Sequence, residues 1–137
     1  MACTFCLIAT GEEPADVVLS TDDVVGFLDR RPLFKGHVLL IPRRHVHTLP
    51  DLPDDLVVPL LTAARSLARA VVDGLGAQGS FVAMNNVVSQ SVAHLHVHVV
   101  PRTKGDGLRG FFWPRTTYAE GEAKEHAARL RAVLDQG

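Results

Sequence analysis

The chain has 137 residues, enough for one domain around one core. Apolar residues make up 47% of it and charged residues 21%, a globular balance that excludes a disordered chain. Lys and Arg total 14 against 15 Asp and Glu, for a net charge of −1. No overall field therefore draws the chain to nucleic acid or to an anionic membrane, and any anionic ligand must be held by local groups.

Cys3 and Cys6 are the only cysteines. The apolar run from Phe5 to Thr10 stops at Gly11-Glu12-Glu13, too short for a signal peptide. No stretch approaches a membrane span, so the expected compartment is the cytoplasm. In a reducing compartment, a Cys-x-x-Cys spacing reads as a metal site or a redox pair before a structural disulfide. A thioredoxin-like use would place the pair after a strand in a βαβ unit, which this chain does not supply.

From Ala15 to Leu28 an apolar segment is interrupted by Ser20-Thr21-Asp22-Asp23, predicting two short strands joined by a tight turn. Pro32 to Gly36 breaks the pattern, and Val38 to Ile41 resumes it as a buried strand ended by Pro42. A helix is predicted from about Asp54 to Asp73, capped by Asp51 or Asp54, with Pro59 tolerated near its first turn. Leu60, Ala64, Leu67, Ala68, Val71 and Leu75 form its apolar stripe, and Arg65, Arg69 and Asp73 turn outward. After Gly74, Gly76 and Gly79 come a strand from Ser80 to Met84, a polar loop from Asn85 to Gln90, and a strand from Ser91 to Val100. Pro101 to Gly110 reads as a mobile basic loop, followed by the aromatic run Phe111-Phe112-Trp113. A terminal helix from Ala119 to Gln136 sets Ala123, Ala127, Leu130 and Leu134 on one side. These elements make an α+β domain.

Three of the seven histidines, His94, His96 and His98, alternate with Leu95, Val97 and Val99. On a strand, alternate side chains share a face, so this run sets three imidazoles in a row and anchors the other side in the core. One metal ion is a poor fit to all three, because they span about 13 Å of strand. A neutral imidazole, however, attacks phosphorus near pH 7 without prior deprotonation, and its neighbours can hydrogen-bond phosphoryl oxygens. No Asp/Glu cluster suggests a magnesium cage, so phosphate charge would be met by His, Ser and backbone donors.

The segment from Ser91 through His94-Leu95-His96-Val97-His98 to Arg102 resembles the signature of the histidine-triad (HIT) family. Three upstream stretches are similar as well: Cys3 to Glu12, Phe27-Leu28-Asp29 with Pro32, and Gly36-His37 through Pro42 to His45. Roughly the first 102 residues are covered. The resemblance implies one HIT domain over 1–137, with its core at about 1–102 and a C-terminal loop and helix over 103–137. It implies a five-stranded antiparallel sheet with two helices, and a homodimer.

It also implies roles. His96 would be the nucleophile that becomes nucleotidylated, and His98 the contact to phosphate and leaving-group oxygens. Asp29 would take the ribose hydroxyls. Ser91 and the backbone near Gln90 match the phosphate-loop donors, with Asn85, Asn86 and Ser89 in the same loop. Many members carry glycine where Ser89 stands. In zinc-bearing relatives the metal ligands correspond to Cys3, Cys6, His45 and His94, with His47 the fallback for His45. His37 and His126 have no partner visible in sequence. The expected activity is cleavage of a purine nucleoside-monophosphoryl bond, in a dinucleoside polyphosphate or a nucleoside phosphoramidate. The rival is a zinc-stabilised nucleotide-binding protein with little turnover. Phe111-Phe112-Trp113 would wall a base or pack at an interface. Neither a nucleic acid nor a membrane partner is expected.

Overall fold

The computed structural model describes residues 3–108 and 115–134. Two units divide the chain, Met1–Asp106 and Gly107–Gly137. The first is an α+β unit with a five-stranded antiparallel sheet of order β1-β2-β3-β5-β4. Its strands are β1 (Val17–Ser20), β2 (Val24–Leu28), β3 (Val38–Pro42), β4 (Gly79–Ala83) and β5 (Val97–Arg102). The first three match the sequence reading closely.

β3 is buried at every position because both faces of the sheet are covered. Val38 and Leu40 point to one side and pack with Val97, Val99 and Leu95 against Leu60, Ala63, Ala64, Leu67 and Val71 of the long helix. Leu39 and Ile41 point to the other, joining Val25, Phe27, Phe5 and Ile8. Leu40 and Leu95 are wholly buried, each worth about 1.5–3 kcal/mol over an exposed side chain.

The residues on that second face reveal a helix the sequence reading lacks. α1 (Thr4–Thr10) is capped at its end by Gly11, whose φ of 83° is left-handed. The described residues therefore carry three α-helices where two were expected: α1, α2 (Asp54–Leu75) and α3 (Glu122–Leu134). At the start of α2 neither Asp51 nor Asp54 caps; Pro53 holds that position, with Asp54 and Asp55 in the first turn against the positive end of the helix dipole. Pro59 lies in the sixth position of α2, deeper than expected, where its missing N–H leaves the Asp55 carbonyl without its helical partner. The buried stripe of α2 takes in Leu56 and Ala63 and omits Ala68 and Leu75, the latter 60% exposed.

A larger correction concerns the triad segment. A strand from Ser91 to Val100 was expected, but β5 begins only at Val97 and continues to Arg102. His94 and His96 precede it in irregular backbone, so only His98 sits on a strand. Leu95 donates its N–H to the Val46 carbonyl at 2.7 Å, outside the sheet ladder. The alternation of the sequence imitates a strand, while the His94 carbonyl accepts from the His96 ring and Leu95 bonds to Val46 outside the ladder.

In the second unit, α3 opens where Glu122 accepts from the Ala119 N–H at 2.8 Å. It buries no residue, and Leu130 and Leu134 of the expected stripe are exposed. The aromatic run at 111–113 lies outside the described residues. None of the described helices is long and apolar enough to cross a membrane.

Candidate active site

The hydrogen bonds of four histidines fix where their protons sit. A carbonyl oxygen only accepts, so the imidazole facing it must donate. His94 Nε2 lies 2.8 Å from the Pro42 carbonyl, which leaves the lone pair on Nδ1. His96 Nδ1 lies 2.8 Å from the His94 carbonyl, which leaves Nε2 of the neutral ring with the lone pair. His96 is 3% exposed and lines a cleft of about 240 Å³ with His98, Asp29 and Ser91. Phe5, Ile8, Phe27, Leu39 and Val92 give that cleft apolar walls.

His37, unassigned by the sequence, completes the chain of imidazoles. Its Nδ1 accepts the Leu33 N–H at 3.1 Å, so the neutral ring carries its proton on Nε2. That Nε2–H donates to His98 Nδ1 at 3.0 Å. His98 is thereby left with its own proton on Nε2. The Leu33 amide thus sets the tautomer of His98 through His37. Gly36, at a left-handed φ of 97° beside Leu75, allows the turn that swings His37 into place. Its signal in the sequence was a polar residue directly ahead of a wholly apolar strand. The partner that explains it lies 61 residues away.

Burial favours the neutral form of His37, His94 and His98. It pushes His98 down to about 4, helped by any charge on His96 or His37 and opposed by the Asp29 carboxylate. His37 is also lowered by burial, against the pull of Asp29, whose carboxylate is 3.8 Å away. A ring with a depressed folded pKa binds its proton in the unfolded chain first, at about 6.5. The stability it contributes is complete above that value and is lost as pH falls. The melting temperature is therefore expected to fall between pH 7 and pH 4. His98→Asn protein should show a shallower decline; equal slopes in calorimetry would refute this account of the triad.

The loop before the triad is held by its own side chains. Asn86 Oδ1 accepts from the Leu49 N–H at 2.7 Å, and Asn85 Nδ2 donates to the Ser89 carbonyl at 3.3 Å. Gln90 accepts the Val87 N–H at 2.9 Å and donates to the His47 carbonyl at 2.6 Å. Asn85, Asn86, Ser89 and Gln90 are thus not among the groups lining the cleft. Ser89 and Val87 have left-handed φ of 62° and 71°. Ser89 keeps the conformation that glycine favours although it is not glycine.

Cys3, Cys6, His45 and His94 come together at the edge of this site, with one ligand atom from each within 4.8 Å of the others. Cys3 and Cys6 Sγ lie 3.4 and 3.5 Å from His94 Nδ1, and Cys6 Sγ lies 3.3 Å from His45 Nδ1. A tetrahedral zinc with ordinary bond lengths sets its S···N separations at about 3.5 Å. The donor set therefore fits zinc, and the Pro42 carbonyl supplies the outer hydrogen bond that orients a ligating imidazole. Burial and the neighbouring Cys3 thiol push the Cys6 thiol up; a cation would reverse that. His47, the fallback, sets its ring edge-on to that of His45 at 4.9 Å and is not in the cluster. Asp29, His37 and His98 also lie close together, but both His37 nitrogens are already hydrogen-bonded.

Known proteins resemble this chain in sequence and fold. The HIT domain profile matches residues 10–105. The adenosine 5'-monophosphoramidase hnt1 of Schizosaccharomyces pombe is 30% identical over 126 residues, 90% of this chain and 92% of that protein. A crystal structure of a HIT family member from Bacillus subtilis superposes with a TM-score of 0.88 at 29% identity, covering 96% of both chains. A zinc-bound histidine triad family protein from Mycobacterium smegmatis superposes with a TM-score of 0.75 at 34% identity, covering 100% of this chain and 99% of that one. With that profile spanning all five strands and all three triad histidines, the chain belongs to the HIT family.

Proposed function

We propose that the protein is a nucleotide hydrolase or transferase that cleaves a purine nucleoside-monophosphoryl bond through a nucleotidyl-His96 intermediate. The observation that carries this reading is the His96 ring itself, its Nδ1–H anchored on a carbonyl and its Nε2 lone pair free beside the cleft. The nucleoside occupies the apolar cleft, and Asp29 accepts its ribose hydroxyls. His96 Nε2 attacks the α-phosphorus, a P–N bond forms, and the bond to the leaving group breaks. His98, held with its proton on Nε2, donates toward the leaving group as charge develops there. His37 acts as a positioning residue through His98. Water then hydrolyses the phosphoramidate and releases the nucleoside monophosphate. The fission-yeast relative's name supports a phosphoramidate leaving group; a dinucleoside polyphosphate uses the same first step.

Rapid acid-free quench followed by mass spectrometry tests the reading. An acid-labile nucleotidyl adduct is expected on His96. An adduct mapped to His98 would overturn the assignment.

The four-ligand cluster holds zinc in this reading, supported by its geometry and by the zinc-bound mycobacterial structure. When bound, the ion supplies cross-linking between the N-terminus, the His45 loop and the triad segment.

The chain acts as one HIT domain and pairs as a homodimer. Besides its buried stripe, α2 carries a second apolar row of Val58, Leu61, Val72 and Leu75, all exposed. β4 stands at one end of the strand order among the described residues. Both features suit a two-fold contact. Light scattering should give twice 14.8 kDa at micromolar concentration, and Leu61→Glu should shift it toward the single chain. A wild-type mass of one chain would refute the pairing.

A further inference from the structure

α1 belongs to two sites at once. Cys3 stands at its N-cap and Cys6 in its first turn, and their thiols meet His94 and His45. Thr4 and Phe5, between those two cysteines, line the cleft, and so does Ile8 one turn on. The Phe5 ring stands edge-on to His96 at 5.1 Å and to His94 at 5.9 Å. One short helix thus presents alternate side chains to a metal-binding cluster and to the wall that a nucleoside would touch.

Seven residues are too few to persist as a helix unaided, so the attachments of α1 decide where that wall stands. At its far end, Arg43 donates to the Ala9 carbonyl at 2.6 Å. In the middle, Phe5 and Ile8 pack on Val25, Phe27, Leu39 and Ile41. At its near end, the thiol–imidazole cluster holds Cys3 and Cys6, beside the packing of Cys3 on that same core. Without a cation that cluster offers only weak thiol hydrogen bonds; with one, it becomes four coordinate bonds.

We propose that zinc occupancy of the Cys3–Cys6–His45–His94 cluster sets the affinity of the cleft for nucleotide, because the ion clamps the helix that forms the cleft's wall. The proposal rests on the zinc and nucleotide readings above and goes beyond a stabilising role. An ion that merely stabilised the fold would move the melting temperature and leave the affinity of the folded protein alone. A clamp on the wall couples the two ligands, and the coupling is reciprocal: nucleotide must tighten zinc by the same factor that zinc tightens nucleotide.

AMP, which binds without turnover, is the probe. It is titrated calorimetrically into zinc-loaded protein and into chelator-stripped protein, with folding of each checked by circular dichroism. The stripped protein is expected to bind AMP at least about tenfold more weakly, and added zinc to restore the affinity. Saturating AMP should tighten zinc by the same factor against a chromogenic chelator. AMP affinities within about twofold for two folded forms would overturn the proposal.

Should stripping unfold the protein, Phe5→Leu decides. That variant keeps all four ligands and shortens the wall, so it should load zinc while the AMP–zinc coupling drops below about threefold. Coupling of wild-type size in that variant would mean that the linkage runs through global folding, and the clamp would be refuted. Absence of AMP binding to zinc-loaded protein would overturn the nucleotide reading, and absence of zinc uptake the zinc reading. Independent binding of both ligands overturns the coupling alone.

Discussion

His96→Ala protein is expected to bind AMP within about threefold of wild type yet turn over at least about 10⁴-fold more slowly. The nucleophile's contribution is realised only as the P–N bond forms, so removing it leaves ground-state contacts in place. In the proposed reading those contacts belong to Phe5, Phe27, Asp29 and Ser91, which line the cleft beside the ring. His98→Ala should be slower by about 10²–10³, the cost of one lost donor to developing charge. The contrast is the informative part. Equal losses in the two variants would mean that neither is the sole nucleophile. Substantial turnover in His96→Ala would end the covalent mechanism. Steady-state kinetics on adenosine phosphoramidate and on a diadenosine polyphosphate, beside AMP titrations, supplies all the numbers needed.

The second large effect concerns the metal. Wild-type protein should carry about one zinc per chain, and a Cys3→Ser, Cys6→Ser double variant close to none. The melting temperature of that variant should fall by roughly 10 °C or more. The reason is topological: the cluster ties residues 3 and 6 to residues 45 and 94, joining α1, the loop after β3 and the entry to β5. Metal analysis with scanning calorimetry checks both halves. Equal, negligible zinc in the two proteins would remove the metal from the description. Equal zinc with equal melting temperatures would show that other residues hold it.

Much of this was legible in the chain itself. The runs at 17–20, 24–28 and 38–42 declared their strands because each is apolar, short and bounded by turn residues. α2 declared itself through four turns of apolar spacing. α1 did not, because seven residues with two buried positions give no period to read. The triad misled in one respect: His-x-His-x-His alternates as a strand does, yet two of its three histidines lie ahead of β5. Its side-chain alternation nonetheless held, with Leu95, Val97 and Val99 in the core. The four cluster residues were named through family resemblance, and the structure brings them within reach of one ion. The phosphate-loop residues fared differently. Asn85, Asn86 and Gln90 spend their side chains within the loop and on Leu49 and His47 of the segment after β3, a use that only the fold reveals. His37 escaped notice for the same reason, since its significance lies in a hydrogen bond across the sheet.

That hydrogen bond begins on a peptide group. The Leu33 N–H, on an exposed turn, holds one ring nitrogen of His37, and the proton placement at His98 follows two steps later. Information about a reactive imidazole is therefore stored in main chain. The Leu33 side chain is 56% exposed, so position 33 can drift through nineteen residue types while transmitting the same instruction. Proline alone lacks the hydrogen and would erase it. A comparison of side chains alone would pass over that turn. The proton sees a fixed donor.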